Sequence, residues 1–354
     1  MIYNFNAGPS ILPQAVLEEA SKAIINFNNS GLSILEIGHR TPLFESVMEE
    51  ARSLVRELMN LEDDHEVLFL HGGATVQFMQ IPMNLLDEKE TAAIADTGVW
   101  STKAIKEARL FGNVDVVCSS KESNYNFIPK DFAVPGDAKY FHITTNNTIF
   151  GTQWQNIPEI SVPLIADMSS DIFSRQLNFN SFDLIYAGAQ KNMGAAGTNL
   201  VIVNKNILGK VNRAIPSIMD YRNHIKEKSM LNTPPVFAVY ASMLTLKWLK
   251  ENGGIEAMEK RNNEKASLLY DAIDNSNIFK GTVVKEDRSK MNVCFVMNDI
   301  EMDKKFLDFA TGNNIYGIKG HRLSGGFRVS LYNALPLSSV EYLVGKMGAF
   351  EKGI

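Results

Sequence analysis

The sequence predicts an α/β fold, with a large domain whose mainly parallel sheet is flanked by helices and a smaller α+β C-terminal domain. Three observations predict it. Short apolar runs alternate with helical repeats up to about Leu249, the pattern of strands buried on both faces by crossover helices. Several of those runs stop on polar or small residues of the kind that collect at the carboxyl ends of strands. Glu251-Asn252-Gly253-Gly254 then breaks the pattern and serves as a hinge candidate before a tail of different order. With 354 residues and 45% hydrophobic content, the chain buries a substantial core and has room for one large or two moderate domains.

The elements follow in chain order. Leu43, Phe44, Val47, Met48, Ala51, Leu54, Val55 and Leu58 recur at helical spacing. Glu66-Val67-Leu68-Phe69-Leu70 reads as a buried strand. His71-Gly72-Gly73-Ala74-Thr75 is then a turn into a helix carrying Val76, Phe78, Met79, Met83, Leu85 and Leu86. Ala95-Asp96-Thr97-Gly98-Val99 is a strand-end turn that delivers Trp100, and Thr144-Thr145-Asn146-Asn147 is a polar run before Thr148. Val162-Pro163-Leu164-Ile165-Ala166 is an apolar run closing on Asp167. Phe182 to Ala187 is another, and the small residues Gly188 and Ala189 let the chain turn before Gln190 and Lys191. Beyond the helix containing Leu244, Leu246, Trp248 and Leu249 come a helix near Ile255 to Ile273, strands near Asn292 to Met297 and Phe327 to Leu331, and a closing helix near Ser338 to Phe350. No internal repeat or low-complexity tract is present.

The chemistry starts from Lys191 and Asp167, each at the exit of an apolar run. Pyridoxal phosphate chemistry needs both groups: an amine to hold the aldehyde as a Schiff base and a carboxylate against the pyridine nitrogen. An ordinary surface lysine and a turn aspartate are the bland alternative, and the surrounding context weighs against it. Gly73, Ala74 and Thr75 at a helix start offer backbone N–H groups and a favourable dipole to a phosphate. No GxxxxGK[ST] occurs, and no GxGxxG follows a strand, so nucleotide binding has no motif behind it. Trp100 presents a flat face on which a planar ring could stack, although taken alone it reads more readily as a core or interface residue. Thr148 offers a hydroxyl near the ring, though its polar run could equally bond to its own backbone.

These motifs and their order carry a resemblance. Asn6-Ala7-Gly8-Pro9, Gly38-His39-Arg40, His71-Gly72-Gly73, Gly188-Ala189-Gln190-Lys191-Asn192, Asn232-Thr233-Pro234-Pro235, Gly320 to Arg328 and Tyr332-Asn333-Ala334 run over nearly the whole chain. The sequence resembles the phosphoserine aminotransferase family, among the class V aminotransferases of the fold-type I pyridoxal phosphate enzymes. The resemblance implies a large sheet of the seven-stranded type in residues 13–252 and a small domain formed by 1–12 with 253–354. It further implies Lys191 as the Schiff-base lysine, Asp167 as the partner of the pyridinium nitrogen, Trp100 stacked on the ring and Thr148 at the ring hydroxyl. Ala74, Thr75 and Gln190 would hold the phosphate, with Asn232 and Thr233 reaching over from the second subunit of a homodimer. Some relatives have an arginine where this chain has Thr75, so its cradle would lean on backbone donors and a hydroxyl.

The implied substrates, L-glutamate and 3-phosphohydroxypyruvate, put a carboxylate or a phosphate at the same distal place. Arginine suits both, because its planar fork bonds either group bidentately and keeps its charge. By resemblance Arg328 grips the α-carboxylate, and His39, Arg40, His321 and Arg322 form the distal anion pocket. Two His-Arg pairs are an unusual use of six histidines. The same site is implied for the phosphorylated four-carbon intermediate of vitamin B6 synthesis.

Composition narrows the partners. A net charge of -5 without a long basic run argues against nucleic acid and anionic membranes. No stretch reaches the ~20 apolar residues of a membrane span, and the N-terminus lacks signal-peptide order, so a cytosolic protein is expected. Cys118 and Cys294 are too few for a disulfide framework and are expected to fill small core spaces. The histidines have no HExxH or CxxC companions, so no metal site is expected. Rival readings keep the cofactor but change the reaction: an alanine–glyoxylate type transaminase, a lyase or a cysteine desulfurase, the last lacking a loop-motif cysteine. A non-catalytic regulator of the same fold is opposed by intact Lys191, Asp167 and Arg328.

Overall fold

The structure, a computed structural model, describes residues 2–353. A short strand β1 (Tyr3–Asn4) precedes helices α1 (Gln14–Ile25) and α2 (Pro42–Met59). There follow β2 (His65–His71), α3 (Gly73–Leu85), β3 (Thr91–Asp96), α4 (Val99–Ala108) and β4 (Asn113–Ser119). Strands β5 (Phe141–Thr144), β6 (Leu164–Asp167), β7 (Leu184–Gly188) and β8 (Thr198–Asn204) complete a large sheet, after which come α5 (Tyr221–Lys226), α6 (Val236–Glu251) and α7 (Gly254–Asp274). The remainder comprises β9 (Phe279–Gly281), β10 (Asn292–Met297), α8 (Asp303–Gly312), β11 (Ile315–Tyr316), β12 (Phe327–Ser330) and α9 (Leu337–Lys352).

The seven-stranded sheet has the order β2-β8-β7-β6-β5-β3-β4. Neighbours from β7 through β4 pair in parallel, so Gly188, Asp167, Thr144, Asp96 and Ser119 all end at one edge. Strand β8 runs antiparallel to both β7 and β2. That reversal brings the end of β2, His71, to the same edge as Gly188, and with it the start of α3. The site groups therefore converge because of strand direction.

Both faces of this sheet are covered, which explains its near-continuous apolar runs. Along β2 the side chains alternate, Val67 and Phe69 entering the core under α2 and α6, Leu68 and Leu70 the core under α3. Helix α2 buries Phe44, Val47, Met48, Ala51, Leu54 and Val55 in one stripe, starts with Pro42 in its first turn and ends at Asn60 in the left-handed region.

A second core gathers Phe5 with Ala266, Leu269, Phe295, Phe327, Val329 and Leu343 around the antiparallel sheet β12-β10-β9. Strand β1 pairs with β11, so the N-terminal residues pack with the C-terminal part. Helix α7 spans both regions, its Ile255 and Met258 lying in the larger core and its Ala266 and Leu269 in the smaller. The strand expected near Phe327 to Leu331 is β12, and Leu331 N beyond it still donates to Met291 O at 2.8 Å. One expectation needs correction. Cys294 is buried, whereas Cys118 is only half-buried, since it lies on β4 at the edge of the large sheet.

Candidate active site

At the shared edge lies a cavity of about 500 Å³, lined among others by Gly72, Gly73, Ala74, Thr75, Trp100, Thr148, Asp167, Gln190 and Lys191. That volume falls within the range of roughly 300–1,000 Å³ usual for small-molecule sites. Lys191 follows β7 through a tight turn in which Ala189 O accepts from Met193 N and Gly194 N. The Lys191 side chain is 9% exposed, and its Nζ donates to Thr148 Oγ1 at 2.7 Å. Burial pushes this amine down to about 8; the Asp167 carboxylate opposes the shift and the Arg328 guanidinium adds to it.

Asp167 terminates β6, in register with Thr144 on one side and Tyr186 on the other. Burial raises its carboxyl above the ordinary value, while the Ser169 amide, bonded at 2.9 Å to Oδ1, and the Lys191 charge pull it back. Beneath it, Tyr186 Oη lies 2.9 Å from His142 Nε2, an imidazole whose burial lowers it to about 4 and keeps it neutral.

The first turn of α3 supplies the cradle. Gly72 caps the helix at φ 90° and Gly73 follows at φ 63°, both in the left-handed region that glycine tolerates. A Cβ on Gly72 would lie 2.4 Å from Val76 Cγ2, so the backbone can approach the helix start only without a side chain. The free N–H groups of Gly73, Ala74 and Thr75 then open toward the cavity lined by these residues. Trp100 sits in the first turn of α4, with the Lys191 ammonium 5.8 Å from its ring centroid and its buried Nε1 without a partner. An amine, a carboxylate, an aromatic face and a helix N-terminus around one cavity fit pyridoxal phosphate: aldehyde at Lys191, ring nitrogen at Asp167, phosphate at α3.

Arg328 lies on β12 and joins the site through Thr148, its Nη1 donating to Thr148 O at 3.3 Å while Lys191 occupies the same residue's hydroxyl. Its buried Nε has no partner. Burial, then the charges of Arg328, Arg322 and Lys103, hold the His321 imidazole below its ordinary value. Among the described residues no carboxylate forms an ion pair with Lys103, Arg322 or Arg328. Cations left unpaired in this way make a field suited to an anion.

Within one chain, His39 and Arg40, which precede α2, do not line this cavity, and neither do His321, Arg322 and Arg328. Asn232 and Thr233 lie in the loop before α6 and do not line it either; Thr233 O contacts His71 Nε2. Sequence reasoning missed Lys103, one turn beyond Trp100 and 4.5 Å from its ring centroid. It also missed Ser169, Ser170 and Asn146, which line the cavity. A lysine one helical turn after the tryptophan was the available signal for the first; nothing in the sequence marked the others.

Fold and site together define a pyridoxal phosphate enzyme of the aminotransferase kind, and comparison with known proteins agrees. The sequence matches the Aminotransferase class-V family over residues 2–343. A phosphoserine aminotransferase of Flavobacterium johnsoniae is 57% identical over 353 residues, covering 99% of both chains. The structure of phosphoserine aminotransferase from Bacillus circulans subsp. alkalophilus superposes with a TM-score of 0.97 at 43% identity, covering 100% of this chain and 99% of that one. The pyridoxal phosphate-bound enzyme from Trichomonas vaginalis gives a TM-score of 0.93 at 37% identity, covering 98% of this chain and 100% of that one. The chain belongs to the class-V aminotransferases, among the phosphoserine aminotransferases, and pyridoxal phosphate is its cofactor.

Proposed function

We propose that the protein transfers an amino group from L-glutamate to 3-phosphohydroxypyruvate, giving 2-oxoglutarate and O-phospho-L-serine in two ping-pong half-reactions. The observation that carries this reading is the convergence of Lys191 and Arg328 on Thr148, together with His321 and the charges of Arg322 and Lys103 that act on it. Bound pyridoxal phosphate supplies an aldehyde that takes up the amino group and a ring that accepts electrons when the Cα proton leaves. Asp167 would hold the ring nitrogen protonated, and Trp100 would stack on the ring. Gly73, Ala74, Thr75 and Gln190 would hold the phosphate. Lys191 would remove the Cα proton of glutamate as general base, a role served by an amine whose pKa burial has lowered to about 8. Arg328 takes the substrate α-carboxylate bidentately.

The distal group of either substrate would meet His321 and Arg322, joined by His39 and Arg40. The reading includes a homodimer in which Asn232 and Thr233 complete the partner's site, and we assign His39 and Arg40 to that shared site as well; within one chain the cavity at Lys191 is lined by none of these four, nor by His321, Arg322 or Arg328. The proposed division is residues 13–252 against 1–12 with 253–354, supported by the pairing of β1 with β11 and the place of Phe5 in the second core. We also place the protein in the cytoplasm, with no nucleic acid or membrane partner; among the described residues no helix is long and apolar enough to cross a membrane.

The deciding experiment is a coupled assay of 3-phosphohydroxypyruvate against its unphosphorylated analogue, with the four-carbon phosphorylated substrate of vitamin B6 synthesis as a third acceptor. Strong preference for the phosphorylated acceptors supports the distal anion pocket; equal turnover of the unphosphorylated analogue would remove it. An alanine–glyoxylate transaminase is the alternative reading, and it predicts preference for small uncharged side chains.

A further inference from the structure

Lys265 places an ammonium where packing alone would favour a hydrophobe. It lies on α7 next to Ala266 of the second core, is 1% exposed, and forms no ion pair with a carboxylate among the described residues. Its Nζ donates instead to three main-chain carbonyls, Leu331 O and Tyr332 O at 2.9 Å each and Leu335 O at 3.1 Å. Burial, reinforced by Arg261, pushes the amine down to about 7. The three acceptors oppose that shift, because only the ammonium has three N–H bonds to give them. Desolvating a charge costs several kcal/mol, and an apolar side chain of like volume would avoid that cost.

The carbonyls that Lys265 holds belong to the turn immediately after β12, the strand carrying Arg328. The same turn is tied to the lysine loop and to the loop after Asp167. Asn333 N donates at 3.0 Å to Oδ1 of Asn192, the residue next to Lys191. Asn333 Nδ2 donates to Phe173 O at 3.0 Å. Asn262, one turn before Lys265 on the same face of α7, donates at 2.9 Å to both Asn333 Oδ1 and Ser174 O. Asn192 in turn donates to Ser170 O at 3.2 Å, and Ser170 lines the cavity.

We propose that Lys265 is a positioning residue: by gripping the carbonyls of residues 331, 332 and 335 it fixes Arg328 relative to Lys191, and so places the substrate α-carboxylate against the catalytic amine. Asn262, Asn333 and Asn192 pass the same constraint to the lysine loop. The inference rests on the roles proposed above for Lys191 and Arg328.

Lys265→Met in the holoenzyme tests it, since methionine keeps the bulk and removes the donors. The expected result is a fall of roughly tenfold or more in kcat/KM for glutamate, carried mainly by KM. The pH midpoint of the cofactor's visible band should shift as well, because the Arg328 charge sits at a changed distance from Lys191. A lower Tm with parent kcat/KM and parent midpoint, measured well below the Tm, would show a structural role only and overturn the proposal. If Lys265→Met does not fold, Lys265→Gln, which keeps an amide donor for part of the carbonyl set, should give the same signature in smaller measure, and parent behaviour there overturns the proposal equally; Asn262→Ala tests the separate tie from α7 to Asn333. Arg328→Lys serves as the control. Parent KM for glutamate in that variant would instead overturn the assignment of Arg328, a failure seen independently of either α7 variant.

Discussion

Lys191 is held by opposing forces that make its protonation testable. Its amine is brought down to about 8 by burial, against about 10.4 in an unfolded chain. Between those values the unfolded chain binds the proton more readily, so the cofactor-free native state carries a penalty that is full below pH 8 and fades as pH rises toward about 10.4. Lys191→Met should therefore stabilise the cofactor-free protein at pH 7 by on the order of 2–3 kcal/mol, and much less at pH 10. Calorimetry at the two pH values checks this, and equal gains at both would contradict it. Lys191→Ala should abolish both the visible band of the bound cofactor and turnover; an unchanged spectrum with full activity would refute its role. Asp167→Asn keeps the shape of the side chain and the Ser169 contact while removing the charge proposed to hold the ring nitrogen protonated. We expect cofactor binding to persist and the half-reaction with glutamate to slow by roughly a thousandfold or more, as single-turnover absorbance would show.

At the scale of elements, the start of α3 carries the most specific expectation. Gly72→Ala would place a methyl 2.4 Å from Val76 Cγ2 at a φ of 90°, so the first turn must shift or unwind. A conformational cost of about 1–3 kcal/mol is expected from strain of this kind. Because the displaced groups are the N–H donors of residues 73–75, pyridoxal phosphate affinity measured by titrating apoprotein should fall by about tenfold or more. Gly73→Ala has no side-chain neighbour within 4 Å and should have a milder effect. The strand and helix pattern was readable because strands buried on both faces stay apolar along their length, as β6 and β7 do, and because α2 keeps one apolar stripe. The short strands β1 and β11 were not readable, since two residues show no period and their pairing depends on ends of the chain more than 300 residues apart.

For the whole molecule, the shared-site proposal predicts complementation. A Lys191→Ala subunit and an Arg40→Ala subunit, each inactive alone, should form a mixed dimer with one intact site and recover measurable activity. Sites confined to single chains would recover none. Cofactor chemistry was legible in the sequence because Asp167 and Lys191 each end an apolar run, and a strand's exit is where an open α/β sheet gathers its ligands. Sequence order thus pointed to the fold class, the lysine and aspartate pair and the glycines before α3, while the anion-binding role proposed for Arg328 came from the resemblance. Only the tertiary structure decided that β8 runs backwards and brings His71 and α3 to the edge holding Lys191, or that Thr148 joins that amine to Arg328. Tertiary structure alone also decided that a buried ammonium on α7 clamps the turn beyond β12. The reason is physical: periodicity records which side of an element is buried, whereas strand direction and the partners of isolated polar groups depend on contacts between residues far apart in the chain.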